Sequence, residues 1–264
     1  MSETKGLDRI VARVRAALPE KQRAVPFAVL EKRAQEKPRP LDFLSAVRQP
    51  DRVSVIAELK KASPSGGLLR ADYDVAAGAK AYAAAGARAL SILTEENYFL
   101  GEPDHLEKAK AASGLPVLRK DFVVDPYQVH EARAFGADAV LLIVALLEDK
   151  TLRALLSIVK EWGMTPLVEA HDALELRRAV DVGAQLIGIN SRNLKDLTMN
   201  PGTFESLLPR VPPGVTAVAE SGLKTAEDIK KVRALGARAV LVGESLLRQN
   251  DLESAARILV EAGQ

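Results

Sequence analysis

Four segments spaced about fifty residues apart carry one pattern, a Gly-Ala pair, a turn residue and an apolar run, at Gly86-Ala87, Gly136-Ala137, Gly183-Ala184 and Gly236-Ala237. Glycine takes the left-handed conformation that ends a helix without the penalty a Cβ would add. The runs that follow, beginning at Ala89, Ala139, Leu186 and Ala239, are apolar on both faces, as a parallel strand covered on both sides must be. A spacing near fifty is too long for one strand-helix unit and fits two. The repeats therefore mark every second strand of an eightfold β/α array.

The other strands fall between the repeats, at residues 53–60, 115–122, 165–171 and 215–222. Helical segments with start signals connect them: Asp74 before one, Asp125-Pro126 before another, and Thr225 with Asp228 as a capping box before a third. Strand and helix alternating in this way predict an α/β fold of the (β/α)8 TIM barrel type. An open doubly wound sheet would not give so regular a period. The length of 264 residues suits one barrel, for which roughly 250 residues is usual.

Residues 1–47 precede the eightfold count. Leu7, Ile10, Val11 and Val14 recur at helical spacing, residues 26–34 predict a second short helix, the Pro-rich stretch at 37–40 breaks it, and 41–47 begin another. The expectation is an N-terminal helical extension capping one end of a barrel formed by residues 48–264.

Composition removes several functional classes. The chain has no cysteine, so disulfides, thiolate metal sites and a cysteine nucleophile are excluded, and a cytoplasmic location is expected. A net charge of +2 with evenly spread basic residues argues against a nucleic-acid surface. The longest apolar run, residues 139–147, falls well short of the ~20 residues a membrane helix needs, and the first ten residues carry no secretory pattern. No metal site is predicted, because His105, His130 and His171 lie on different segments without ligand spacing. His105 and His130 read as helix-surface residues and Trp162 as a packing residue. His171 ends the fifth strand and is a candidate to stand behind a catalytic group.

Charged residues in parallel strands are the informative exceptions, since burying them is costly unless they are paired or used. They gather where the predicted strands end: Glu58 and Lys60, Lys120, Glu169, Asn190 and Arg192, Glu220 and Ser221. Active sites of this fold are built at that end. Period-two alternation places Ile56, Glu58 and Lys60 on one face, as it does Leu118 with Lys120, Leu167 with Glu169, and Gly188 with Asn190 and Arg192. An inert ion-pair network would satisfy the same pattern, but convergence from five strands favours a functional site. Two glycine segments follow the last two strands, Ser221-Gly222 and Gly243-Glu244. Loops at those positions commonly bind phosphate through backbone N–H groups, and ordinary tight turns are the competing reading.

The run Val55-Ile56-Ala57-Glu58-Leu59-Lys60-Lys61-Ala62-Ser63-Pro64-Ser65-Gly66 resembles the signature of the indole-3-glycerol-phosphate synthase family. The likeness continues through Leu118–Phe122, Leu167–His171, Ile189–Leu194, Ala219–Gly222 and Val242–Leu246, in order along the barrel, and the helical extension is also a family feature. The resemblance implies ring closure of a phosphosugar-anthranilate, 1-(2-carboxyphenylamino)-1-deoxyribulose 5-phosphate, with loss of carbon dioxide and water and with no metal or organic cofactor. It implies Lys120 as the acid for ring closure and Lys60 and Glu169 as the acid-base pair for dehydration. Glu58, Asn190 and Glu220 would support them. Ser63, Phe122, Arg192 and Ser221 would contact substrate, and Gly222, Gly243 and the Glu244 backbone would hold its phosphate. The resemblance points to no particular protein partner. Other readings stay open: another phosphosugar barrel such as phosphoribosylanthranilate isomerase, whose usual cysteine has no counterpart here, a Schiff-base aldolase using Lys120, or a phosphometabolite-binding regulator without activity.

Overall fold

The computed structural model describes residues 7–194, 196–200 and 202–264. Three helices come first, α1 (Leu7–Ala24), α2 (Phe27–Glu36) and α3 (Phe43–Val47). Strand β1 (Ser54–Leu59) opens the barrel, and β2 (Ala62–Ser63) and β3 (Gly67–Leu68) form a small antiparallel hairpin beyond its end. Next come α4 (Val75–Ala84), β4 (Ala89–Leu93), α5 (His105–Ser113), β5 (Val117–Lys120), α6 (Pro126–Ala134), β6 (Ala139–Ile143) and α7 (Asp149–Glu161). They are followed by β7 (Thr165–Ala170), α8 (Ala173–Asp181), β8 (Leu186–Asn190), α9 (Thr203–Leu207), β9 (Thr216–Glu220) and α10 (Ala226–Ala234). Strand β10 (Ala239–Val242), α11 (Glu244–Leu247) and α12 (Leu252–Ala262) complete the chain. Leaving aside the hairpin, the strands form a closed parallel barrel in which β10 returns to pair with β1. This is the predicted (β/α)8 barrel.

The Gly-Ala repeat has a common geometry. Gly86, Gly136, Gly183 and Gly236 have φ of 93°, 77°, 75° and 105°, all left-handed. In the first repeat Gly86 N–H donates to Ala83 O and Ala87 N–H to Tyr82 O, the paired bonds of a Schellman motif. The same pair recurs at Gly136-Ala137, Gly183-Ala184 and Gly236-Ala237. Each motif closes a helix and turns the chain into a strand two residues later. Helix starts follow the predicted caps: Asp74 accepts from Ala76 and Ala77 N–H, Asp125 from Tyr127 N–H, and Thr225 and Asp228 cap each other's backbone.

Strand sides sort as the period-two pattern requires. Ile56, Leu118, Leu167 and Leu241 join the barrel interior, while Val55, Ala57 and Leu59 pack outward against the helices. The regular strands are shorter than the apolar runs that announce them. In β5, for example, Asp121 Oδ1 takes the Phe122 N–H at 2.8 Å, and the ladder stops at Lys120.

The N-terminal extension departs from expectation, because it reaches both ends of the barrel. Leu7 and Ile10 of α1 and Phe43 and Val47 of α3 belong to the same interior cluster. Helix α1 lies at the C-terminal mouth, where Leu7 N–H donates to Leu194 O at 3.1 Å and Arg13 to Asn97 Oδ1 at 3.1 Å. Helix α3 plugs the opposite end, and Arg48 behind it reaches Thr216 at the start of β9. Buried Asp138 ties the connecting segment down by accepting from Leu41 N–H, Val117 N–H and the Lys110 ammonium. His130 is likewise not a free surface residue. It packs edge-on between Phe27 of α2 and Trp162, and its Nδ1 accepts from Trp162 Nε1 at 3.2 Å. His105 packs against Tyr73. Burial lowers the pKa of both imidazoles, so packing explains them better than exposure does.

Candidate active site

The charges at the strand ends meet at the C-terminal mouth. Lys120, the last residue of β5, donates to Glu169 Oε2 on β7 at 2.8 Å and to Glu220 Oε2 on β9 at 3.0 Å. Glu58 on β1 pairs with Lys60 at 2.5 Å. Glu169 and Glu220 are each 1% exposed, so these contacts act in a medium much drier than water. One ammonium cannot neutralise two buried carboxylates, and the pair responds by splitting. Burial and the neighbouring Glu169 carboxylate push Glu220 up to about 8, partly opposed by Lys120. Burial works against ionised Glu169 too, but Lys120 and His171 outweigh it and hold that carboxyl well below its ordinary range. Burial opposes the charge on Lys120, yet the surrounding carboxylates raise its pKa and keep it protonated.

Glycine makes room for these carboxylates. A Cβ on Gly188 would lie 2.0 Å from Glu220 Oε1, and one on Gly243 would lie 2.4 Å from Glu58 Oε1. Gly188 carries no role in the sequence reading. Its signal was a glycine inside an otherwise apolar strand, which marks close approach by another group. Gly243, expected only at a phosphate, also serves Glu58. Gly222 behaves as expected of a tight loop: its φ is 76°, and Ser221 before it has φ 68°, a left-handed conformation that is uncommon outside glycine.

Glu58, Lys60, Lys120, Glu220, Ser221-Gly222 and Gly243-Glu244 border one cavity of about 310 Å³. A smaller apolar recess of about 80 Å³ adjoins it, walled by Phe122, Phe99, Leu7, Ile10 and Leu194 with Ser63 and Arg192 at its polar edge. A larger cavity, about 610 Å³, lies beside the lysine cluster and is bordered by Asn190, Arg192, His171 and Glu175. The chemistry follows the charges rather than the volume, so the 310 Å³ cavity is the candidate site. The placement differs from expectation at two residues. Asn190 borders the larger cavity, with its Oδ1 accepting Arg192 N–H at 2.9 Å. Glu169 borders none of these three cavities, because Lys120 and His171 cover its two oxygens.

Supporting polar residues are also held. Ser63 Oγ accepts from Gly66 N–H at 3.0 Å and so shapes the loop after β1. Arg192 donates to Ser65 Oγ at 3.3 Å and to Leu197 O at 3.2 Å. Glu244 turns its side chain to Arg248 at 2.8 Å, and that contact lowers its pKa while its backbone opens α11 beside Gly243. The sequence reading assigned nothing to Arg119 and Asp121, although they flank Lys120. Arg119 points to the opposite face of β5 and is fully engaged by Asp121, Glu131, Thr94 and the Gln128 carbonyl.

A closed β/α barrel with an ammonium shared by two buried carboxylates at its C-terminal mouth, next to glycine loops after the last two strands, defines an acid-base enzyme of the phosphosugar-barrel kind. A family model described as indole-3-glycerol phosphate synthase matches residues 7–259, and the chain belongs to that family. The indole-3-glycerol phosphate synthase of Mycolicibacterium gilvum is 47% identical over 97% of this chain and 94% of its own. That of Streptomyces griseus is 48% identical over 97% of this chain and 95% of its own. Among solved structures, a 3-hexulose-6-phosphate synthase superimposes with a TM-score of 0.64, covering 80% of this chain and all of its own, at 15% identity. A thiamine phosphate pyrophosphorylase from Pyrococcus furiosus gives 0.59 at 15% identity, covering 80% of this chain and 96% of its own. At that identity the structural likeness speaks for the fold alone.

Proposed function

We infer that this chain carries out the reaction of its family and is a decarboxylating lyase: it closes 1-(2-carboxyphenylamino)-1-deoxyribulose 5-phosphate to indole-3-glycerol phosphate, releasing carbon dioxide and water. The observation that carries the residue roles is the Lys120 ammonium held between Glu169 and Glu220 above the glycine loops. In ring closure, the ring carbon bearing the carboxylate bonds to the ribulose carbonyl carbon, and the carbonyl oxygen becomes an alkoxide. Lys120, already a cation, stabilises that charge and then supplies the proton. The C–CO₂ bond breaks and returns its electron pair to the ring. Dehydration removes the new hydroxyl with a proton from Lys60, while Glu169, held ionised, takes a proton from the methylene carbon beside the nitrogen, so that the ring double bond forms and the indole keeps its N–H. Every proton in this route has a side chain to handle it, so the route calls on no metal or organic cofactor.

Glu58 pairs with Lys60 and orients it, and Glu220 and Asn190 position Lys120 and the substrate hydroxyls. Arg192 suits the anthranilate carboxylate because it stands at the edge of the apolar recess where Phe122 would face the ring and Ser63 shapes the entrance. Ser221, Gly222, Gly243 and the Glu244 backbone suit the phosphate. A glycine loop lets N–H groups approach an anion closely, and the short helix after Gly243 adds its own N–H groups. Among the described residues no helix is long and apolar enough to cross a membrane, and a cysteine-free biosynthetic enzyme fits the cytoplasm. Incubating the purified chain with the phosphorylated substrate and following indole absorbance tests the reaction. Borohydride added with substrate should trap no Lys120 adduct. A trapped adduct would favour a Schiff-base mechanism instead.

A further inference from the structure

We infer that His171 is a positioning residue for catalysis, an imidazolium that clamps Glu169 from the side opposite Lys120 and holds it as a ready base. The inference rests on the proposed role of Glu169. His171 follows β7 directly, and its Nε2 lies 3.2 Å from Glu169 Oε1 while its Nδ1 lies 2.9 Å from Glu175 Oε2. The Nε2–H points off the line to Glu169, so that contact is an ion pair rather than an aligned hydrogen bond. A neutral imidazole would set a lone pair against one of these two carboxylates. Only the doubly protonated ring presents a proton to Glu175 and a positive charge, with no lone pair, to Glu169.

The ring is fixed from behind. Glu175 Oε2 accepts the His171 backbone N–H at 2.8 Å as well as facing the ring nitrogen, and Asp172 accepts the Glu175 N–H at 2.8 Å. The charged groups around His171 come from several elements: Glu169 on β7, Asp172 and Glu175 at the start of α8, Asp8 on α1 and Arg192 after β8. Lys120 and Glu220 stand beyond Glu169. Carboxylates dominate next to the ring. Burial works against its charge, but Glu169 and Glu175 raise the pKa to about 10.

The arrangement gives each oxygen of Glu169 its own cation, Lys120 on Oε2 and His171 on Oε1. When Lys120 passes its proton to the new alkoxide, its positive charge is lost just before Glu169 is needed as a base. His171 does not take part in that transfer and keeps the carboxylate ionised and in place.

Two measurements test this. With three histidines in the chain, the ring carbon signals of each can be followed by NMR across pH. His171 should stay protonated beyond pH 9, while His105 and His130 titrate below the ordinary histidine range. A His171 ring that is neutral at pH 7 overturns the inference without any reference to activity. The second measurement is the pH profile of kcat. A neighbouring charge moves a carboxylate by about 1–3 pH units, so in folded His171→Gln the acid limb should move up by that order, with KM little changed. In Glu175→Gln the His171 titration should move down. An acid limb that stays where it is in folded His171→Gln leaves His171 a merely structural residue and overturns the inference. Glu169→Gln separates the two readings: retained turnover there refutes Glu169 as the base, whereas an inactive Glu169→Gln with an unmoved His171→Gln profile refutes only the role of His171.

Discussion

Arg119, buried, and Lys120, partly buried, are neighbours in sequence, yet β5 sends them to opposite faces and into two differently built ionic networks. Arg119 faces the helix layer. Its guanidinium reaches Asp121 at 2.9 Å, Glu131 at 2.6 Å and the Gln128 carbonyl at 2.8 Å. Lys120 faces the barrel mouth, where one ammonium serves two carboxylates and Glu220 Oε1 is left without a hydrogen-bond partner. A planar guanidinium with fixed donors suits a closed structural joint, whereas an ammonium is a compact charge that can lose its proton when its surroundings change. The satisfied network holds α6 to the barrel. The frustrated one sets the ammonium proposed as the acid within hydrogen-bond reach of the carboxylate proposed as the base and of Glu220, whose carboxyl is pushed up to about 8. Full satisfaction goes with a structural joint here, and incomplete satisfaction next to a cavity goes with the proposed chemistry.

The sharpest way to break this comparison is to remove each cation by a substitution of similar volume. Lys120→Met should lower kcat by about 10²–10⁴-fold, the usual contribution of a positioned acid, with a much smaller change in substrate affinity. Its cost in stability should be modest, because Glu220 already holds a proton and Glu169 keeps His171. Arg119→Met should do the reverse. It strands Asp121 and Glu131 in the helix layer and should cost about 3–5 kcal/mol in urea unfolding, the range for breaking a buried ion network, while molecules that remain folded keep their turnover. Equal stability losses in the two variants would erase the distinction. Lys108→Met, which removes an exposed ion pair with Asp104, is the control and should leave both readings nearly unchanged.

Gly188→Ala probes the space around the frustrated network. The new Cβ would collide with Glu220 Oε1, and moving a catalytic neighbour by about 1 Å costs on the order of 10²-fold in rate. Initial-rate kinetics should show the loss in kcat rather than in KM. A normal kcat would mean that Glu220 can shift freely and does not hold Lys120.

The smallest expected effect is in the pH dependence of stability. Folding raises the Glu220 pKa from 4.5 to about 8, so the folded state retains a proton that the unfolded chain releases. The stability from this group is complete below pH 4.5 and is lost as pH rises through about 8. Melting temperature should therefore decline across that window, and Glu220→Gln should flatten the decline. A slope unchanged in the variant would assign it to another group. Arg119 itself contributes no slope there, since guanidinium does not titrate in that range.

Much of this molecule was legible before any coordinates. The Gly-Ala repeats signalled the barrel because a Schellman cap followed by a buried parallel strand is a local event, readable at Gly86 or Gly236 from a few neighbours. Alternation placed Glu58, Lys120 and Glu169 on inward faces because successive side chains on a strand must point in opposite directions. The same rule puts Arg119 outward, a reading that its position beside Lys120 obscured. The extension was harder. Nothing local to Leu7 or Phe43 says that one seals the mouth and the other the base, since both only need apolar cover.

The sequence by itself thus determined the alternation of strand and helix, the facing of each strand and the set of charges delivered to the mouth, because capping and periodicity act over a few residues. Only the tertiary structure decided which charges meet. Lys120 reaches partners 49 and 100 residues away because barrel closure brings β5, β7 and β9 around one axis. Their protonation was decided there too, since the energy of a charge depends on its burial and on the distance to its neighbours, and neither is written in the order of the residues.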